Sequence, residues 1–153
     1  MKIVLQRVKA ASVSVDGRIH ASIGRGLCLL VGIEKGDTSA DVHYLVNKVA
    51  ELRIFPDDAG RMNLSVLDIQ GEVLAVSQFT LAGSVRKGRR PSFDKAEEPE
   101  KAEALLEEFV QQLQALGLRV QTGIFGAMMD VRLVNDGPVT FIVPSRVARD
   151  QLK

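Results

Sequence analysis

The sequence predicts an α/β fold: a mixed, largely antiparallel β-sheet with two main helices packed on it. Three observations carry this. Short apolar runs with strand alternation open the chain and close it. Two longer segments carry the 3.6-residue stripe of amphipathic helices. The order runs strands, helix, strands, helix, strands, which is not the strict alternation of a doubly wound nucleotide fold. With 153 residues, 46% of them apolar and 25% charged, the chain reads as a single domain, 1–153, large enough to bury its own core.

The elements follow in order. Residues 2–8 alternate as a strand, and Ser12-Val13-Ser14-Val15 alternates again before Asp16-Gly17, a hairpin turn signal. Residues 18–23 return as the partner strand. Gly24-Arg25-Gly26 reads as a turn. The continuous apolar run 27–33 predicts a strand covered on both faces. A first helix starts at Thr38, with Thr38 and Asp41 as a capping box. Val42, Leu45, Val46 and Val49 form its buried stripe. Residues 53–55 predict a short strand and Pro56 to Gly60 a loop. Residues 72–79 predict a further strand. Residues 83–98 have no periodicity. A second helix starts at Pro99, with Ala102, Leu105, Leu106, Phe109, Val110, Leu113 and Leu116 facing inward, and stops at Gly117. Three strands, 119–122, 129–135 and 139–143, close the chain, the last two parted by Asp136-Gly137-Pro138.

Composition excludes several functions. The net charge of +1 gives no bulk attraction for nucleic acid, so any such footprint must be local. The apolar run 27–33 is far too short to span a membrane. The lone Cys28 sits in that run and predicts a packing residue, and its lack of an internal partner fits a reducing, cytoplasmic setting. His20, His43 and Cys28 fall in no metal-ligand spacing, so no metal or cofactor is expected. Asp57 and Asp58 read as a solvated turn. No phosphate-binding glycine fingerprint and no nucleophile elbow occur.

Three segments stand out. Arg86 to Arg90 places four basic residues in five positions, able to neutralise phosphates or simply to face solvent. Ser77-Gln78-Phe79-Thr80 puts hydrogen-bonding side chains at the end of an apolar strand. Asn135-Asp136-Gly137-Pro138-Val139-Thr140 sets a Gly-Pro pair between two apolar strands. By physics alone the last two are a strand end and a hairpin turn.

Taken together, these segments resemble the D-aminoacyl-tRNA deacylase family. Ser77 to Thr80 matches its Ser-Gln-Phe-Thr motif, and Asn135 to Thr140 contains its Gly-Pro motif. Gln6-Arg7-Val8, Lys87 to Phe93 and Gly123 to Ala127 are similar as well, in order, from Met1 to about Val143. The resemblance implies a three-layer fold and hydrolysis of the ester that links a D-amino acid to the terminal adenosine of tRNA. It implies a homodimer in which Gly137-Pro138 of one subunit enters the other's active site, a cis Gly-Pro bond, and Arg7 holding that segment. The amides of Phe79 and Thr80 would stabilise the oxyanion, and Phe79 and Phe125 would wall the adenosine pocket. Arg89 and Arg90 would meet the acceptor end of the tRNA. Membrane and DNA partners are not expected. Rejection of L-aminoacyl esters, with glycyl-tRNA cleaved, follows if selection works by exclusion. A non-catalytic RNA-binding module, or an editing deacylase for another mischarged tRNA, remains the rival reading.

Overall fold

The computed structural model describes residues 1–145. Among these residues eight strands and two helices follow one another: β1 (Lys2–Val15), β2 (Arg18–Ile23), β3 (Gly26–Gly32), α1 (Ser39–Glu51), β4 (Phe55–Pro56), β5 (Met62–Leu64), β6 (Glu72–Ser77), α2 (Pro99–Ala115), β7 (Arg119–Thr122) and β8 (Asp130–Pro144). A short 3-10 turn, Phe79–Ala82, follows β6.

β1 is the organising strand. β2 and β3 pair antiparallel with its two halves on one edge, Val15↔Arg18 through Ala11↔Ile23 and Val8↔Gly26 through Lys2↔Gly32. β8 pairs antiparallel with it from Lys2↔Pro144 to Ser14↔Asp130. β6 joins β3 in parallel, and β7 joins β6 in parallel. The sheet is therefore mixed, with its antiparallel part centred on β1.

The sheet has two apolar faces because it folds over on itself. Ile3, Leu5, Leu27, Leu29, Val31, Val73 and Ala75 pack under the helices with Leu45, Val49, Leu105 and Phe109. Val8, Ala11, Val13, Ala21 and Ile23 pack on the opposite face against Cys28, Leu74 and Val76. Strand alternation sends 27, 29 and 31 one way and 28 the other. Helices, sheet and the curled β1–β2 end form the three layers. Burial of Cys28 pushes its thiol up to about 11, which keeps it protonated as a packing residue.

Local chemistry is as expected in several places. Asp16 and Gly17 both have positive φ, the primed turn of a hairpin. The Thr38 amide donates to the Asp41 carboxylate at 2.9 Å, closing the capping box. α2 begins at Pro99, and Gly117 beyond its end has φ +93.

Other expectations need correction. Residues 2–8 and 12–15 are one strand, bent by ladder irregularities near Val8 rather than interrupted. The tripeptide Gly24-Arg25-Gly26 does not reverse the chain, since β2 and β3 lie end to end along β1. The strand 72–79 ends at Ser77, and Phe79 starts the 3-10 turn. The strand at 53–55 shrinks to Phe55–Pro56, which pairs with the unanticipated β5. Leu116 is not on the buried face: it caps α2 and is 44% exposed. The separate strands 129–135 and 139–143 are both parts of β8.

Candidate active site

Two structures within the chain bear the singled-out residues, and they lie apart. The first forms where β6 ends. The Gln78 amide still pairs with Val31 (2.8 Å), and the Leu81 amide then turns back to the Gln78 carbonyl (3.2 Å). The amides of Phe79 and Thr80 precede that first turn bond, so the turn itself leaves them free as donors. The Gln78 side-chain amide donates to the Thr80 hydroxyl oxygen. Neither histidine lines the cavity that Phe79 borders or bonds to Thr80: His43 sits on α1 against Asn47, and His20 lies on β2.

Ser77, Phe79 and Phe125 come together on the wall of one cavity of about 310 Å³. Val31, Ile33, Pro99 and Ala102 complete an apolar lining, the size and character of a nucleobase or drug-sized site. Glu97 is its one carboxylate, held below the usual range first by its hydrogen bond from Lys101. A second, wider cavity of about 460 Å³ adjoins it, sharing Ser77 and Phe125 but lined by Glu103, Glu107, Gln111 and Gln114.

The basic loop is tied to this site. Ser84 and Ser92 exchange backbone hydrogen bonds of 2.7 and 2.9 Å, closing residues 85–91 into an exposed loop. Phe93 then packs on Phe79, ring centroids 5.1 Å apart. Gly83 permits that approach, because a Cβ there would stand 3.0 Å from the Phe93 ring and 2.9 Å from the Thr80 carbonyl. Arg86, Lys87, Arg89 and Arg90 are all exposed, and none forms an ion pair among the described residues.

The second structure is a bulge in β8. Gln6 pairs with Thr140 and Val8 with Asn135, so Asp136 to Val139 loop out opposite Arg7. The Gly137-Pro138 bond is cis, as the resemblance implies. Both residues are exposed. Arg7 is held from both sides: its Nε donates to the Asp136 carbonyl (2.8 Å) and its guanidinium NH1 to the Ile54 carbonyl (2.6 Å). Gly137 has φ +156, and a Cβ there would stand 2.6 Å from the Val139 amide nitrogen, so glycine is required.

The two structures sit at opposite ends of the first half of β1. The 3-10 turn lies against Gly32 and Lys2, whose Nζ donates to the Leu81 carbonyl at 3.3 Å. The Gly-Pro bulge faces Arg7, five residues on, a separation of about 17 Å along an extended strand. It also leaves from the edge occupied by β8 rather than the edge of β3 and β6.

A family model described as D-Tyr-tRNA(Tyr) deacylase matches residues 4–144. The chain belongs to the D-Tyr-tRNA(Tyr) deacylase family. A D-aminoacyl-tRNA deacylase of Aquifex aeolicus is 56% identical over 146 residues, covering 95% of this chain and 99% of that protein. One from Geotalea uraniireducens is 59% identical over 143 residues, 94% and 92% of the two chains. Among solved structures, one titled c-Myc DNA Unwinding Element Binding Protein superposes with a TM-score of 0.90 at 44% identity, covering 96% of this chain and 100% of that one. Another, titled as a probable eukaryotic D-amino acid tRNA deacylase, gives 0.80 at 20% identity over 93% and 97%, a likeness of fold. The chain is thus a hydrolase of the D-aminoacyl-tRNA deacylase type, on an α/β fold shared with these neighbours.

Of the residues that the family motifs single out, Ser77, Gln78, Phe79, Thr80 and Phe125 come together as one group in the structure. Arg7, Gly137 and Pro138 form the other group. Ala102 and Phe93 read in sequence as helix core and loop, yet one lines the cavity and the other braces Phe79. Their signal is unreadable in sequence because it depends on contacts across the fold. Asp57 accepts amides of its own loop, Ala59 (2.9 Å) and Arg61 (3.0 Å), the second being the main cause of its lowered pKa. Among the described residues no three of His, Cys, Asp and Glu gather as metal ligands. No described helix is long and apolar enough to cross a membrane.

Proposed function

We propose that the chain cleaves D-aminoacyl-tRNA in the cytoplasm as a homodimer, with each active site built from two subunits. The observation that carries this is the separation of the two motifs. One chain presents the cavity and donor amides at one end of the first half of β1 and the exposed Gly137-Pro138 bulge at the other. A site using both needs a second copy. β8 supports the same reading. It spans 15 residues, pairs only with β1 among the described residues, and exposes Val134 (54%), Phe141 (40%) and Ile142 (70%). Long apolar edges of this kind are normally covered.

In this site the terminal adenine enters the cavity between Phe79 and Phe125. The ester carbonyl then lies at the Phe79 and Thr80 amides, which stabilise the oxyanion as water adds to the carbonyl carbon. The tetrahedral intermediate collapses with loss of the ribose oxygen, leaving free amino acid and tRNA. An aminoacyl ester is already activated, so this stabilisation, with help from the ribose 2′-hydroxyl, suffices without a nucleophilic side chain. The partner's Gly-Pro carbonyls stand beside the α-carbon and exclude an L side chain, a repulsive form of selection.

The test is hydrolysis of matched D- and L-tyrosyl-tRNA by protein of known oligomeric state. Cleavage of the D ester alone, by a dimer that loses specific activity on dilution to monomer, is expected. A fully active monomer would rule out the shared site. The basic loop carries its own expectation. Replacing Arg89 and Arg90 by glutamine removes two phosphate contacts, so tRNA affinity should fall and its log–log salt slope should flatten by about 1 to 2. Unchanged affinity across a salt titration would return the loop to a solvated surface.

A further inference from the structure

The four-residue bulge from Asp136 to Val139 leaves the β1 ladder, so its backbone groups need other partners. Arg7 takes the Asp136 carbonyl at the front of it. The rear is taken by a side chain that the mechanism does not use. Asn135 Oδ1 accepts the Val139 amide at 2.7 Å, and its Nδ2 reaches the Val139 carbonyl at 3.3 Å. The Asn135 amide therefore acts as a stand-in for one rung of a β-ladder and closes the loop across its base. Its orientation is settled by the partners, since the Val139 N–H can only donate and must face Oδ1. The Thr140 hydroxyl oxygen accepts from Asn135 Nδ2 (3.1 Å) and from Gln6 Nε2 on β1 (3.3 Å). Between the two clamps, the carbonyls of Gly137 and Pro138 have no partner among the described residues and point wherever the clamps aim them.

The geometry points to Asn135, braced by Thr140 and Gln6, as a positioning residue that aims the Gly137 and Pro138 carbonyls and so sets discrimination between D- and L-aminoacyl esters. This rests on the exclusion reading of the Gly-Pro bulge. It separates two jobs: Arg7 holds the entry to the bulge, and Asn135 holds its exit. A carboxylate cannot do the second job, because it has no donor for the Val139 carbonyl and would repel it.

The test reads the D/L ratio of initial deacylation rates for tyrosyl-tRNA, together with melting temperature and dimer content. Asn135→Ala loses two backbone clamps, each of modest net worth. The D/L ratio should fall by about tenfold, chiefly because L-tyrosyl-tRNA begins to be cleaved. Asn135→Asp should not rescue it, and Thr140→Val should show a smaller fall in the same direction. A purely structural role would lower the D rate without raising the L rate, and that result overturns the proposal. So does an unchanged ratio in a folded, dimeric Asn135→Ala protein. Should that variant fail to fold, Thr140→Val, at the surface, decides between the two roles by the same two criteria. Wild-type protein cleaving both esters equally would remove the gate itself and the clamp with it. A selective wild type beside an unaltered variant removes only the clamp.

Discussion

Ala102→Phe should slow deacylation by about 100-fold or more while leaving the protein folded. Ala102 lies on α2 and lines the 310 Å³ cavity together with Phe79 and Phe125. It is 8% exposed and borders the cavity, so a phenylalanine ring there is expected to project into that space. There it would take the volume proposed for the terminal adenine. A base displaced by even an ångström carries its ester away from the Phe79 and Thr80 amides, and such misplacement costs about 100-fold or more in rate. Stability should change little. The ring fills existing space instead of forcing the core apart, so the overpacking cost of ~1–3 kcal/mol should be largely avoided. The loss in helix propensity is only a few tenths of a kcal/mol, on the order of 0.5. The measurements are single-turnover deacylation of D-tyrosyl-tRNA and a thermal melt. A variant that melts normally and cleaves normally would place the adenine elsewhere, with the wider cavity beside Glu103 and Glu107 as the first alternative.

The fold was legible in sequence wherever one face of an element decides its residues. α1 and α2 showed their stripes because only one side of each helix meets the sheet. β3 showed an unbroken apolar run because Leu27, Leu29 and Val31 face the helices while Cys28 faces the other core. What sequence could not show is where a strand keeps going through a polar stretch. Lys9 and Ala10 are exposed yet lie mid-strand in β1: Ala10 pairs with Val134, and Lys9 is carried between that rung and Val8↔Asn135. Asp136-Gly137-Pro138 read as a turn because turns and bulges use the same glycine and proline chemistry. Only the pairing of Gln6 with Thr140 and Val8 with Asn135 distinguishes them. The site behaves likewise. Its two motifs were visible as motifs, but their placement at opposite ends of the first half of β1, from which we propose a two-chain site, is a property of register.

Glycyl-tRNA provides the sharpest test of how chirality is judged. In the proposed site, Gly137 and Pro138 expose two carbonyls that no described residue of their own chain engages, and these occupy the space an L side chain would need. Glycine puts a hydrogen there. Exclusion then has nothing to reject, so glycyl-tRNA should be cleaved at a rate near that of D-alanyl-tRNA. L-alanyl-tRNA should be slower by on the order of 100-fold, since even one misplaced methyl group is worth that much in a fitted site. A pocket that instead gripped the D side chain would give the reverse order, because glycine offers nothing to grip. With the adenine in the 310 Å³ cavity, such a grip would fall to the adjoining 460 Å³ cavity, which also borders Ser77, and its mixture of Glu103, Glu107, Gln111 and Gln114 suits no single side-chain class. Initial rates on glycyl-, D-alanyl- and L-alanyl-tRNA at equal enzyme decide between the two. Resistance of glycyl-tRNA equal to that of L-alanyl-tRNA would mean that the site recognises what D-amino acids have. Ready cleavage would mean that it recognises only what L-amino acids add, and that correctly charged glycyl-tRNA needs protection by sequestration or by scarcity of the enzyme.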